Sequence, residues 1–133
     1  MKRFQFGLSA LALLAFSVPA LAGIHKFATS TSHHLEEVSE GLHHYMHAGG
    51  GFPSSYGAHG MDDAAAAAHD ALHDFNNGSA TEAEVLAAVD AANDAFDNMR
   101  TQFRANNVWA DKTAKKMYDE IHKTLVKLNA YTN

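Results

Sequence analysis

Residues 81–105 read TEAEVLAAVDAANDAFDNMRTQFRA and decide the fold. Thr81 and Glu84 form a T-x-x-E capping box, which is typical of the start of an α-helix. The apolar residues that follow alternate spacings of four and three, the period of one buried helix face. They are Val85, Val89, Ala92, Phe96, Met99 and Phe103. The stretch therefore predicts a long amphipathic helix that runs to about Ala105.

Three further amphipathic helices are predicted around it. They are expected over about Thr31–Ala48, Gly60–Phe75 and Trp109–Ala130, separated by glycine- and asparagine-rich turns. No mature segment alternates with a strand period, so we expect an all-α, antiparallel up-down-up-down four-helix bundle. The expected core residues of these three helices are Leu35, Val38, Leu42 and Tyr45, then Met61, Ala65, Ala68, Leu72 and Phe75, and finally Ala114, Tyr118, Ile121, Leu125 and Leu128.

The N-terminal residues have the pattern of an export signal. Met1–Arg3 is short and positively charged, Phe4–Val18 is mostly apolar, and Pro19–Ala22 offers a small-x-small cleavage site. We therefore expect residues 1–22 to be a cleaved secretory signal peptide and the protein to be periplasmic or secreted. Residues 23–133 are expected to form a single domain, with residues 23–30 flexible.

Charge and cysteine content exclude several classes of function. Without residues 1–22, 111 residues remain, and they carry 8 Lys/Arg against 15 Asp/Glu. This acidic balance argues against a nucleic-acid partner, and no membrane insertion is expected after cleavage. The chain contains no cysteine, which rules out disulfides, thiolate metal sites and covalent c-type haem. A protein partner stays unknown, and homodimerisation stays open.

Histidine is the residue type that suggests a function. The chain has ten histidines, and nine of them fall between His25 and His73. Imidazole is the commonest protein ligand for borderline transition metals, and histidines one helical turn apart can share one ion. We therefore expect copper, nickel or zinc as the cofactor. The candidate ligands are His43, His44, His47 and Glu40 on the first helix and His69, His73 and Asp62 on the second.

The helical period predicts where these ligands lie. At 100° per residue, the core face of the first helix is centred between Val38 and Leu42. On the second helix, His69 and His73 are expected beside the apolar stripe. On the first helix, a solvent-facing stripe is expected to contain Glu36, Glu40, His43 and His47.

Two alternative functions remain. A b-type haem bundle for electron transfer would use His122, expected to be semi-buried at the edge of the fourth helix, as an axial ligand. A non-catalytic protein-interaction module would bind neither metal nor haem. Motifs of hydrolases, metalloproteases and phosphate-binding enzymes are absent from the sequence, so no enzymatic activity is expected. The opposite axial ligand of a haem would be Met46, Met61, Met99 or His34.

These features together resemble the small histidine-rich periplasmic metal-binding helical bundles. The resemblance is carried by the export signal, the cysteine-free helical domain and the pairs His43/His47 and His69/His73 among acidic residues. It implies an exported bundle that binds copper, nickel or zinc for buffering, sequestration or delivery. The C-terminal half departs from this pattern because it contains only His122, which favours a few sites near the first two helices.

Overall fold

A computed structural model describes residues 23–133, and the expected signal peptide lies outside this range. The described chain is all-helical, and its four helices pack against one another. No helix within residues 23–133 is long and apolar enough to cross a membrane. The elements in chain order are α1 (Ala28–His44), a π-helical segment (Tyr45–Gly49), α2 (Ala58–Asn76), α3 (Glu82–Ala105), a 3₁₀ turn (Val108–Ala110) and α4 (Lys112–Thr132).

Contacts between helices establish the antiparallel order. Helix α1 packs against both α2 and α4, and α2 also packs against α3. The hydrogen-bonded pairs in and next to α1 and α4 show opposite directions, since residue numbers rise in one segment as they fall in the other. These pairs are His25 with Tyr131, His34 with Glu120, and Tyr45 with Asp111. The predicted four-helix bundle is confirmed.

Side-chain caps fix the starts of α3 and α4. The Thr81 hydroxyl accepts a hydrogen bond of 3.1 Å from the Glu84 backbone N–H, and Glu84 accepts one of 2.8 Å from the Thr81 N–H. The predicted capping box is thus confirmed. Helix α4 begins three residues later than expected, because the Asp111 carboxylate accepts from the backbone N–H of Ala114 at 2.9 Å. Trp109 lies in the preceding 3₁₀ turn.

The helices are spaced according to the size of the side chains between them. Small residues, Ser39, Ala65 and Ala68 among them, are buried in α1 and α2, whose backbones approach closely. Between α3 and α4 the aromatic rings of Phe96 and Tyr118 stack with centroids 5.0 Å apart. These bulky rings hold α3 and α4 farther apart than α1 and α2.

The expected apolar stripes of α3 and α4 are buried residue for residue. Helix α1 differs, because Thr31, Ser32 and Ser39 are buried beside Leu35 and Leu42. Its two neighbours, α2 and α4, cover a wider arc of the α1 surface than the positions of its apolar residues indicate. Val38, Tyr45 and Phe75, which were expected in the core, are only partly buried at its edge.

A glycine permits the close approach of the α2 N-terminus to α3. Gly57 has φ +92°, a left-handed conformation that side chains rarely adopt. A Cβ atom at this position would lie 2.8 Å from the backbone Cα of Met99. Both the turn and the contact therefore require glycine.

The N-terminal end of the described chain packs on the end of α4. The backbone N–H of His25 donates a 2.7 Å hydrogen bond to the Tyr131 carbonyl, and the two rings stack with centroids 4.6 Å apart. Helix α1 already begins at Ala28. The segment 23–30, which was expected to be flexible, thus has defined contacts in this structure.

Candidate metal-binding site

The first group of candidate ligands lies between α1 and α2. We call it the His69 cluster, and it consists of His33, Glu36, Glu37 and His69. His69 Nδ1 lies 2.8 Å from Glu36 Oε1 across the interface, and the rings of His33 and His69 have centroids 5.0 Å apart. His33 Nε2 lies 3.3 Å from Glu37 Oε2 one turn along α1. One ligand atom from each of His33, Glu36 and His69 lies within 4.8 Å of the other two.

Burial in this cluster changes from its inner to its outer side. The side chains of Glu36 and His69 are 30% and 22% exposed, whereas that of His33 is 56% exposed. The contact between Glu36 and His69 is therefore partly shielded from water, which strengthens a charge-assisted hydrogen bond. The exposed His33 side leaves an ion free access from solvent.

The second group lies on the same interface, nearer to the π-helical segment. We call it the His43 cluster. It consists of His43 from α1, His47 from the π-helical segment, and His59, Asp62 and Asp63 from α2. His43 Nδ1 lies 2.9 Å from Asp62 Oδ2, and His43 Nε2 lies 3.1 Å from His59 Nδ1. His59 Nε2 in turn lies 3.2 Å from Asp63 Oδ2. The ring centroids of His43 and His47 are 4.9 Å apart.

The two carboxylate contacts of this cluster determine what its imidazoles can do. The side chains of His43 and Asp62 are each 20% exposed. A carboxylate at Nδ1 favours the tautomer with a proton on that nitrogen, which leaves the lone pair on Nε2. His43 Nε2 then faces His59 Nδ1 as an acceptor in the absence of an ion.

The expected solvent-facing stripe on the first helix is partly wrong. Glu40 and His47 are exposed, but Glu36 and His43 are half-buried against α2. The reason is that Ser32 and Ser39 are part of the buried face of α1. Glu36 and His43 border this face and therefore lie against α2.

The other candidate ligands are distributed around these two clusters. Glu40 and His44 line an open surface depression together with Glu37 and Tyr45. His73 is exposed, and its Nδ1 lies 3.4 Å from the Asn77 amide nitrogen. The structure therefore brings His43, His47 and Asp62 together and places His69 with three residues outside the expected set. It leaves Glu40, His44 and His73 apart from both clusters.

His122 is not semi-buried, contrary to expectation. It is exposed on α4, and its ring stacks on Phe96 with centroids 5.2 Å apart. The buried face of α4 passes through Ile121, Thr124 and Leu125, which leaves His122 outside the core. The haem interpretation thereby loses the semi-buried ligand on which it depended. Met46, Met61 and Met99 are fully buried core residues, and exposed His34 is hydrogen-bonded to Glu120.

The sequence interpretation missed five residues of the clusters as ligands or partners: His33, Glu36, Glu37, His59 and Asp63. Periodicity on one helix cannot show which residue of a neighbouring helix lies opposite. A signal was nevertheless present in the sequence, because His33, Glu36 and His43 recur as His59, Asp62 and His69 at an offset of 26 residues. Aligning the first two helices with each other would have found it.

Comparisons with known proteins do not assign a family. The chain matches no protein-family model, no curated protein and no solved structure. The functional proposal for this protein therefore depends on the geometry of the His69 and His43 clusters.

Proposed function

We propose that the protein binds a divalent transition metal ion (copper, nickel or zinc) at the His69 cluster. The observation that carries this proposal is the convergence of His33, Glu36 and His69, whose ligand atoms lie within 4.8 Å of one another. Two helices contribute these side chains, so the bundle itself holds the ligand set together. A non-catalytic role is part of the proposal.

The chemistry of the donors supports these ions. Two imidazoles and a carboxylate suit zinc, copper and nickel, whereas calcium and magnesium prefer oxygen ligands alone. Metal–ligand bonds of about 2.0–2.2 Å in a tetrahedral site separate neighbouring ligand atoms by about 3.4 Å. The 2.8 Å contact between His69 and Glu36 needs to open only by a fraction of an ångström to admit an ion. Water from the exposed side would complete the shell.

The surroundings favour reversible binding. His33 is more than half exposed, so an ion can enter and leave without opening the bundle. The acidic balance of residues 23–133 attracts cations to the surface. Together with the export signal expected in residues 1–22, this supports buffering, sequestration or delivery of metal in the periplasm or outside the cell.

Isothermal titration calorimetry with Zn(II), Cu(II) and Ni(II) at neutral pH tests this proposal. We expect uptake by the purified protein, and we expect the double variant His33→Ala/His69→Ala to lose one ion per chain. Glu36→Gln should weaken binding at this site by about 10- to 100-fold, because the carboxylate either orients His69 or binds the ion itself.

A matched control is the double variant His44→Ala/His122→Ala. Both residues are exposed and lie outside the two clusters, so uptake should be unchanged. The proposal is refuted if the protein takes up none of the three ions, or if His33→Ala/His69→Ala binds as many ions as the unmodified protein.

A further inference from the structure

The first two helices contain the same chemical pattern. Residues 33–47 read HHLEEVSEGLHHYMH and residues 59–73 read HGMDDAAAAAHDALH. Each begins with histidine, continues with an apolar residue and two acids, and ends with two histidines one turn apart. The offset of 26 residues pairs His33 with His59, Glu36 with Asp62, Glu37 with Asp63, His43 with His69 and His47 with His73.

Burial follows the same correspondence. The buried positions within residues 33–47 are matched one for one by buried positions within residues 59–73. They pair Leu35 with Met61, Ser39 with Ala65, Leu42 with Ala68 and Met46 with Leu72. The two helices thus present equivalent faces to the core, and because they are antiparallel, a local two-fold axis relates them.

Contacts across the interface obey this local symmetry. Under the two-fold axis the pair Glu36–His69, at 2.8 Å, becomes the pair Asp62–His43, at 2.9 Å. The ring pair of the first cluster, with centroids 5.0 Å apart, becomes the pair of the second, at 4.6 Å. The turn-spaced contacts His33–Glu37 and His59–Asp63 are 3.3 and 3.2 Å.

We infer that the His43 cluster is a second metal site, equivalent to the first by this internal symmetry, so that each chain binds two ions. His43 Nε2 and His59 Nδ1 are its ligands, Asp62 and Asp63 orient them, and His47 or water completes the shell. The inference rests on the proposed function, since both sites take the same class of ion.

The geometry of the His43 cluster fits an ion closely. The 3.1 Å between His43 Nε2 and His59 Nδ1 is close to the separation of about 3.3 Å between two nitrogen ligands of a tetrahedral ion. On each ring the other nitrogen contacts a carboxylate, His43 Nδ1 with Asp62 and His59 Nε2 with Asp63. This is the arrangement in which an outer carboxylate fixes the orientation of a metal-binding imidazole. Binding of the ion displaces the proton on His59 Nδ1 that is donated to His43 Nε2, and this proton is released to the solvent.

The spacing of the two clusters along α1 gives the distance between the two ions. Glu36 and His43, the α1 members of the two carboxylate–histidine contacts, are seven residues apart, which is two helical turns or about 10 Å along the axis. Two Cu(II) ions at this distance broaden each other's electron paramagnetic resonance lines. A variant in which one cluster has been removed, and which binds a single Cu(II) ion, should give narrow lines.

The test combines native mass spectrometry with Zn(II) or Cu(II) and two matched double variants. The unmodified protein should bind two ions. His33→Ala/His69→Ala and His43→Ala/His59→Ala should each bind one, and the variant with all four substitutions should bind none. Circular dichroism checks that each variant keeps its helix content, which is expected because the four side chains lie outside the core.

The outcomes separate this inference from the proposed function. If His43→Ala/His59→Ala binds as many ions as the unmodified protein, the second site is refuted and the first stands. If this variant loses an ion and His33→Ala/His69→Ala does not, the second site is supported and the first is refuted. If the unmodified protein binds no ion, both are refuted.

Discussion

Replacing Ser39 with Ala is expected to stabilise the protein. Ser39 is 1% exposed, and within residues 23–133 its hydroxyl has no hydrogen-bond partner. A buried polar group without a partner costs about 1–3 kcal/mol, and Ala forms helices better than Ser by roughly 0.5 kcal/mol. The small void left by the oxygen offsets part of this gain. A net stabilisation of about 1 kcal/mol follows, and the equivalent position on α2 is already Ala65.

Thermal denaturation followed by circular dichroism measures this effect. For a domain of this size, 1 kcal/mol corresponds to a rise in Tm of about 4 °C. Ser32→Ala is the matched control, because Ser32 is equally buried but donates a 2.7 Å hydrogen bond to the Thr29 carbonyl. The control should leave Tm unchanged or lower it. If Ser39→Ala lowers Tm, or if both variants behave alike, the hydroxyl of Ser39 has a hydrogen-bond partner and the expected stabilisation is refuted.

Two further predictions concern helix N-termini. Gly57→Ala should lower the free energy of unfolding by more than about 1 kcal/mol in urea titrations, since the residue has φ +92° and its Cβ would lie 2.8 Å from the Met99 Cα; an unchanged midpoint would show that this turn relaxes freely. Asp111→Ala should cost about 1 kcal/mol by removing the cap of α4. The backbone N–H of Ala114 and the Tyr45 hydroxyl hold the pKa of the Asp111 carboxyl below its ordinary value of 3.8. Its stabilising effect is thus complete above that pH and is lost as the pH falls toward the lowered pKa, so the variant and the unmodified protein should converge in stability in strong acid. A constant difference at all pH values would contradict this assignment.

Sequence patterns predicted the parts of the fold that depend on one helix at a time. The capping box at Thr81 and the stripe from Val85 to Phe103 have a local cause, and both are present in the structure. The start of α4 was predicted three residues too early, at Trp109 after the Asn106–Asn107 turn, although Asp111 supplies the cap. Hydrogen bonding to the free N–H groups of the first turn determines where this helix begins.

The candidate site depended on information that one helix does not contain. His43 and Asp62 were both expected as ligands, but their contact arises only once α1 and α2 pack in antiparallel register. The solvent-facing side of α1 was predicted wrongly because Ser39 is buried. A serine counts as polar in a periodicity pattern although it packs well between close helices. Small polar residues therefore hide a helix interface from hydropathy, and only the repeat of the histidine pattern could have revealed it.

The glycine-rich connection after the π-helical segment has a consequence for assembly. Residues 50–57 join α1 to α2, and both clusters take side chains from these two helices. Neither cluster requires that the two helices belong to the same molecule. If this connection straightened, α1 of one copy could pack on α2 of another, and a domain-swapped dimer would form with the same contacts. Such a dimer would keep the ligand geometry of the monomer. The number of metal ions bound per chain would therefore be the same in the monomer and in the domain-swapped dimer.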